Sequence, residues 1–98
     1  MEIMKTKNGD ALTLTLTGRL ETTTAPALDK AVKEELEGVT DLIFDFAGLE
    51  YISSAGLRVL LTAQKAMNKQ GAMKIVNANE IVREIFDITG FTEILMVE

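Results

Sequence analysis

The chain has 98 residues, a formal charge of −5 and 47% apolar composition, which is enough for one packed core and too little for two. It contains no cysteine and no histidine, which excludes disulfides, thiolate metal sites and the imidazole chemistry used for zinc binding and for proton transfer near neutral pH. The basic residues are scattered and no apolar run approaches the ~18 residues of a membrane span, so neither a nucleic-acid partner nor direct membrane insertion is expected. The opening MEIMKTKNGD lacks the long apolar segment of a secretory leader, so no signal peptide is expected, and the absence of cysteine suits the cytoplasm.

The first segment predicts a β-hairpin, because Asn8-Gly9 supplies the positive φ angles of a tight turn. Leu12, Leu14 and Leu16 then alternate with Thr13, Thr15 and Thr17, the pattern of a half-buried strand that Gly18 closes. A first helix follows, with Thr24 as N-cap and Pro26 in its first turn. Leu28, Ala31, Val32 and Leu36 form its inner face, and Gly38 lies beyond its end. Leu42 to Phe46 reads as a nearly continuous apolar strand, typical of a parallel sheet covered on both faces. A second helix is predicted over 54–70, with Leu57, Leu60, Leu61 and Met67 inward. A short strand at AMKIV follows, then a third helix with Ile81, Val82, Ile85 and Ile88 inward and Gly90 as its C-cap, and a last strand at TEILMV. The order ββαβαβαβ predicts an α/β fold: an N-terminal β-hairpin, then alternating strands and helices giving a mainly parallel mixed central sheet with helices packed on it.

The chemistry-bearing stretch is LEYISSAGLRVLL, residues 49–61. It is not a hydrolase elbow: G-x-S-x-G would need glycine where Ile52 stands, and no histidine exists to complete a triad. No lysine stands three residues after Ser54, and Gly56 alone is no phosphate-cradling loop. Asp45 and Glu50, one in a strand and one in the following loop, do not mark a substrate cleft, and Asp45 reads better as a hydrogen-bonding partner for a neighbouring loop. No catalytic residue, metal site or cofactor is expected. One serine suffices to cap the second helix. The other stands free at the carboxyl end of a strand, where a phosphoryl group would meet helix N–H groups and the positive end of the dipole. Arg58, one turn on, is a local counter-ion candidate.

GRLETTTAPAL, followed by LIFDFAGLEYISSAGLRVLL, resembles the STAS domain of bacterial anti-sigma factor antagonists over nearly the whole chain. The resemblance rests on a strand ending in Asp45, then Gly48, the apolar pair Tyr51-Ile52, and Ser53-Ser54-Ala55-Gly56-Leu57. It implies a STAS-like single domain over residues 1–98 and a cytoplasmic, non-enzymatic switch. Unphosphorylated, such a protein binds an anti-sigma factor and so frees a sigma factor. The anti-sigma factor is typically an ATP-dependent serine kinase that phosphorylates the antagonist, and a serine phosphatase resets the cycle. Position by position, the acceptor falls on Ser54, with Ser53 as the alternative because Ser53 replaces the acid that commonly precedes the acceptor. Glu21 falls on an acidic position of the partner-facing surface. That surface would comprise Glu21, Thr22 and Thr23 before the first helix, and Ser53, Ala55, Gly56, Leu57 and Arg58 at the second. The C-terminal helix of many relatives has no counterpart before Glu98. Two other functions fit the same fold: a constitutive scaffold subunit, for instance beside an ABC-type lipid transporter, and a small nucleotide-binding domain using the same loop.

Overall fold

The computed structural model describes every residue from Met1 to Glu98. The order is β1 (Glu2–Asn8), β2 (Ala11–Leu20), α1 (Ala25–Glu35), β3 (Asp41–Ile52), α2 (Ser54–Met67), β4 (Ala72–Val76), α3 (Glu80–Thr89) and a 3-10 turn at Phe91–Glu93. The strands lie in one sheet in chain order, β1 antiparallel to β2, and β2, β3 and β4 parallel. The predicted hairpin is present, with Asn8 paired to Ala11 and Gly9 at φ +63°.

The helices cover one face of this sheet, not both. Leu12, Leu14 and Leu16 of β2, Leu42, Phe44 and Phe46 of β3, and Met73 and Ile75 of β4 are buried in one cluster with Leu28 and Val32 of α1, Leu57 and Leu60 of α2, and Val82 and Phe86 of α3. The alternate residues Thr13, Thr15, Ile43, Asp45 and Lys74 are only half-buried. Two right-handed crossovers that advance in one direction across a sheet leave their helices on the same side. Here β2 to β3 and β3 to β4 both advance without a reversal.

β2 runs through Gly18 to Leu20, and β3 runs past Phe46 to Ile52, so Glu50 lies in a strand and not in a loop. The extension works through two irregularities. Thr15 pairs with Asp45 but Thr17 with Gly48, and Gly18 pairs with Leu49 but Arg19 with Tyr51. Each adds one residue to β3, so its buried positions change spacing from two (42, 44, 46) to three (46, 49, 52). Asp45 holds the first irregularity: its Oδ1 accepts from the Ala47 N–H and the Asn77 amide, both at 3.0 Å.

Three further expectations are corrected. α2 ends at Met67, and Gln70 turns away to donate its amide to the Leu36 carbonyl at 2.7 Å. In α3 the inner face is Val82 and Phe86, while Ile81 and Ile88 are 57% and 78% exposed. The rotation is set by Asn79, which accepts from the Val82 N–H at 2.8 Å and donates to the Leu49 carbonyl at 3.0 Å. TEILMV is not a strand. Gly90, at φ +81°, turns the chain, Thr92 bonds back to the Phe86 carbonyl and Asp87, and a lone parallel bridge from Ile75 to Val97 remains.

Candidate functional site

The carboxyl ends of β2 and β3 are joined where the Ser53 N–H donates to the Leu20 carbonyl at 2.8 Å. From this junction the chain enters α1 through 21–24 and α2 through Ser53, which brings the two sequence-predicted segments to one end of the sheet.

Thr24 occupies the N-cap position of α1, but its side chain does not cap the helix. Its hydroxyl donates to the Arg19 carbonyl at 2.8 Å and accepts from the Glu21 N–H at 2.9 Å, closing the loop on itself. That closure leaves Thr22 and Thr23 exposed and Glu21 half-buried. The Glu21 carboxylate pairs with Arg19 at 3.1 Å, and the Arg19 guanidinium lies 4.6 Å from the centroid of the Tyr51 ring. The pairing of Arg19 with Tyr51 across β2 and β3 sets this stack. The sequence reading missed Arg19. Its signal was the β3 irregularity, which is invisible without the register.

The two serines differ. Ser53 is the N-cap residue of α2, yet its Oγ is buried and has no hydrogen-bond partner. Ser54, the first helical residue, is exposed and its hydroxyl makes no hydrogen bond. Ala55 is half-buried, Gly56 and Leu57 are buried, and Arg58 is exposed one turn beyond Ser54. Gly56 and Leu57 therefore serve packing: a Cβ on Gly56 would meet Leu20 and Ile52.

Two open clefts flank this first turn. One, of about 300 Å³, lies between α1 and α2 and is lined by Thr22, Ala25, Pro26, Asp29, Ala55 and Arg58, among others. The other, of about 310 Å³, is lined by Ser54, Leu57, Arg58 and Leu61 of α2 with Thr89 and Phe91 beyond it. Thr89 and Phe91 were also missed, since they reach the site only by tertiary packing. Arg58 borders both clefts. No group of three or more carboxylates stands where it could hold a metal ion, and no helix is long and apolar enough to cross a membrane.

The family model for the STAS domain matches residues 2–98. The chain is 32% identical to BtrV of Bordetella bronchiseptica, covering 99% of this chain and 85% of that protein. It is 29% identical to the anti-sigma-B factor antagonist of Bacillus subtilis, over 91% of this chain and 83% of that one. The fold matches the anti-sigma factor antagonist SpoIIAA of Bacillus. The TM-score is 0.83 to its unphosphorylated form, at 19% identity over 99% of this chain and 88% of that one. It is 0.77 to its phosphorylated form, at 17% identity over 99% and 91%.

Proposed function

The chain belongs to the STAS domain family, in the branch of the anti-sigma factor antagonists, and from that footing we propose that it is an antagonist switched by phosphorylation of Ser54. The observation that carries the choice of residue is the contrast between the serines: the Ser54 hydroxyl is on an exposed residue and unbonded, whereas the Ser53 oxygen is buried. An antagonist of this kind contributes no catalytic group. It presents a hydroxyl to a serine kinase, which is also the anti-sigma factor it binds, in the cytoplasm. The γ-phosphoryl group of ATP moves to Ser54 Oγ: the Oγ–P bond forms, the bond from the γ-phosphorus to its bridging oxygen breaks, and ADP leaves. The hydroxyl proton passes to a base on the kinase. A serine phosphatase hydrolyses the ester and restores the hydroxyl.

The docking surface is the exposed Thr22–Thr23 loop with Glu21 behind it, joined to Ser54, Ala55 and Arg58 on α2. Gly56 and Leu57 support this surface from below. A phosphate at its centre adds about −1.5 to −2 charges and must be desolvated for the complex to form. A loss of about 3 kcal/mol is roughly a hundredfold in affinity. The test mixes the protein with the partner kinase and Mg·ATP and maps the product by mass spectrometry. Phosphate on Ser54 is expected. Phosphate solely on Ser53 overturns the choice of residue, and phosphate solely outside both serines, or none, removes the switch altogether. A Ser54→Asp variant that binds as tightly as the wild type removes the charge switch and leaves the scaffold reading.

A further inference from the structure

We infer that Arg58 is the residue that seats a phosphate carried on Ser54, a regulatory contact that rests on the phosphoacceptor reading above. Positions 54 and 58 stand on one side of α2, one turn apart, and line the same cleft with Leu57, Leu61, Thr89 and Phe91. Of the three arginines, two are already engaged. Arg19 holds Glu21 and lies on Tyr51, and Arg83 donates to the carbonyls of Ala78 and Glu98. The Arg58 side chain is exposed and makes neither an ion pair nor a hydrogen bond.

No carboxylate lies within 4.0 Å of its guanidinium nitrogens. α2 contains no acidic residue. Asp29, across the other cleft that Arg58 borders, is bound to Lys33 at 2.9 Å, and Glu21 is held by Arg19. The wall of the shared cleft beyond α2, Thr89 and Phe91, carries no charge. An anion one turn N-terminal to a cation is the favourable orientation on a helix. A phosphate also offers two oxygens to the planar fork of a guanidinium, a match that lysine does not reproduce.

Seated this way, the phosphate lies across the mouth of the cleft. It withdraws the one uncommitted arginine from the docking surface and covers the approach to Leu57, Leu61 and Phe91. The switch then works by removing a positive contact as well as by adding negative charge.

The test installs phosphoserine at position 54 during synthesis, so that no kinase is needed, in the otherwise unchanged chain and in Arg58→Gln and Arg58→Lys. Phosphorus NMR follows the second phosphate ionisation, ordinarily near pH 6. A guanidinium partner favours the dianion, so the midpoint is expected about 0.5 pH unit lower with Arg58 than with glutamine, with lysine between them. Equal midpoints in the unchanged chain and Arg58→Gln overturn the inference. A second readout uses no substitution at 58: the Arg58 Nε–H resonance is expected to shift when position 54 carries phosphate, and an unmoved resonance overturns the inference equally. Either failure leaves Ser54 as an acceptor untouched. A kinase that never modifies Ser54 defeats the functional proposal whatever these spectra show.

Discussion

Gly56 sits directly against Leu20: a Cβ at position 56 would lie 2.7 Å from the leucine Cγ and 2.8 Å from Ile52 Cγ1. The missing side chain lets the first turn of α2 rest on the ends of β2 and β3, and so fixes where Ser54 emerges. Alanine in place of a helical glycine ordinarily stabilises by up to about 1 kcal/mol. Here that gain is opposed by overpacking, which typically costs about 1–3 kcal/mol because neither contact is the far end of a flexible chain. Gly56→Ala is expected to lower stability by about 1 kcal/mol, and Gly56→Val by more, in urea denaturation. A more stable alanine variant would show that the turn can lift at no cost.

Ser53 provides the opposite case. Removing a serine N-cap ordinarily costs about 1 kcal/mol. The Ser53 hydroxyl makes no cap bond and is buried without a partner, so nothing is broken by its removal and a desolvated polar atom is relieved. Ser53→Ala is expected to change the unfolding free energy by less than about 0.5 kcal/mol and to leave Ser54 available for phosphorylation. A loss of a full cap energy in thermal or urea melts would mean that the hydroxyl does hold the helix.

The features legible in the sequence are those that local chemistry decides. Asn8-Gly9 admits few backbones, and Leu12, Leu14 and Leu16 alternate without interruption, so the hairpin and the buried face of β2 follow from spacing alone. The serine pair likewise announces a strand-to-helix turn, because serine is a preferred N-cap, as Thr24 with Pro26 announces the start of α1. α3 was not legible in phase. Ile81, Val82, Ile85, Phe86 and Ile88 offer more apolar positions than one stripe can bury, and the Asn79 link to Leu49, thirty residues away, makes the choice. The β3 irregularities hid the Arg19–Tyr51 stack for a related reason, since hydrophobic spacing reads a bulge as an end of the strand. The Ile75–Val97 bridge is too short to leave a pattern at all.

Asn79 is therefore a predicted weak point far in sequence from the site. Its oxygen caps α3 and its amide satisfies the Leu49 carbonyl. Asn79→Ala deletes both bonds and is expected to cost about 2–3 kcal/mol, a cap plus a part-buried carbonyl left unpaired. Asn79→Asp keeps the acceptor and favours the positive helix end but loses the donor, so about 1 kcal/mol is expected. Urea titrations separate the two. An aspartate variant as stable as the wild type would show that the Leu49 bond contributes nothing.

The rotation of α3 can be tested at two residues on its opposite sides. In the phase that apolar spacing alone suggests, Ile88 points into the core, and a charge there would be ruinous. In the structure Ile88 is 78% exposed, whereas Phe86, two residues earlier, is fully buried with Val82 against the sheet. Ile88→Lys is expected to shift stability by no more than about 0.5 kcal/mol, the usual range for an exposed position. Phe86→Ala is expected to cost about 3–5 kcal/mol, the transfer loss plus the cavity that an aromatic side chain leaves. The pair is diagnostic because helical geometry couples the outcomes: 86 and 88 stand about 200° apart around the axis, so a helix turned to bury Ile88 must carry Phe86 towards solvent. A large loss at Ile88 with a small one at Phe86 would reverse the assignment, and with it the placement of Thr89 beside Ser54 in the cleft.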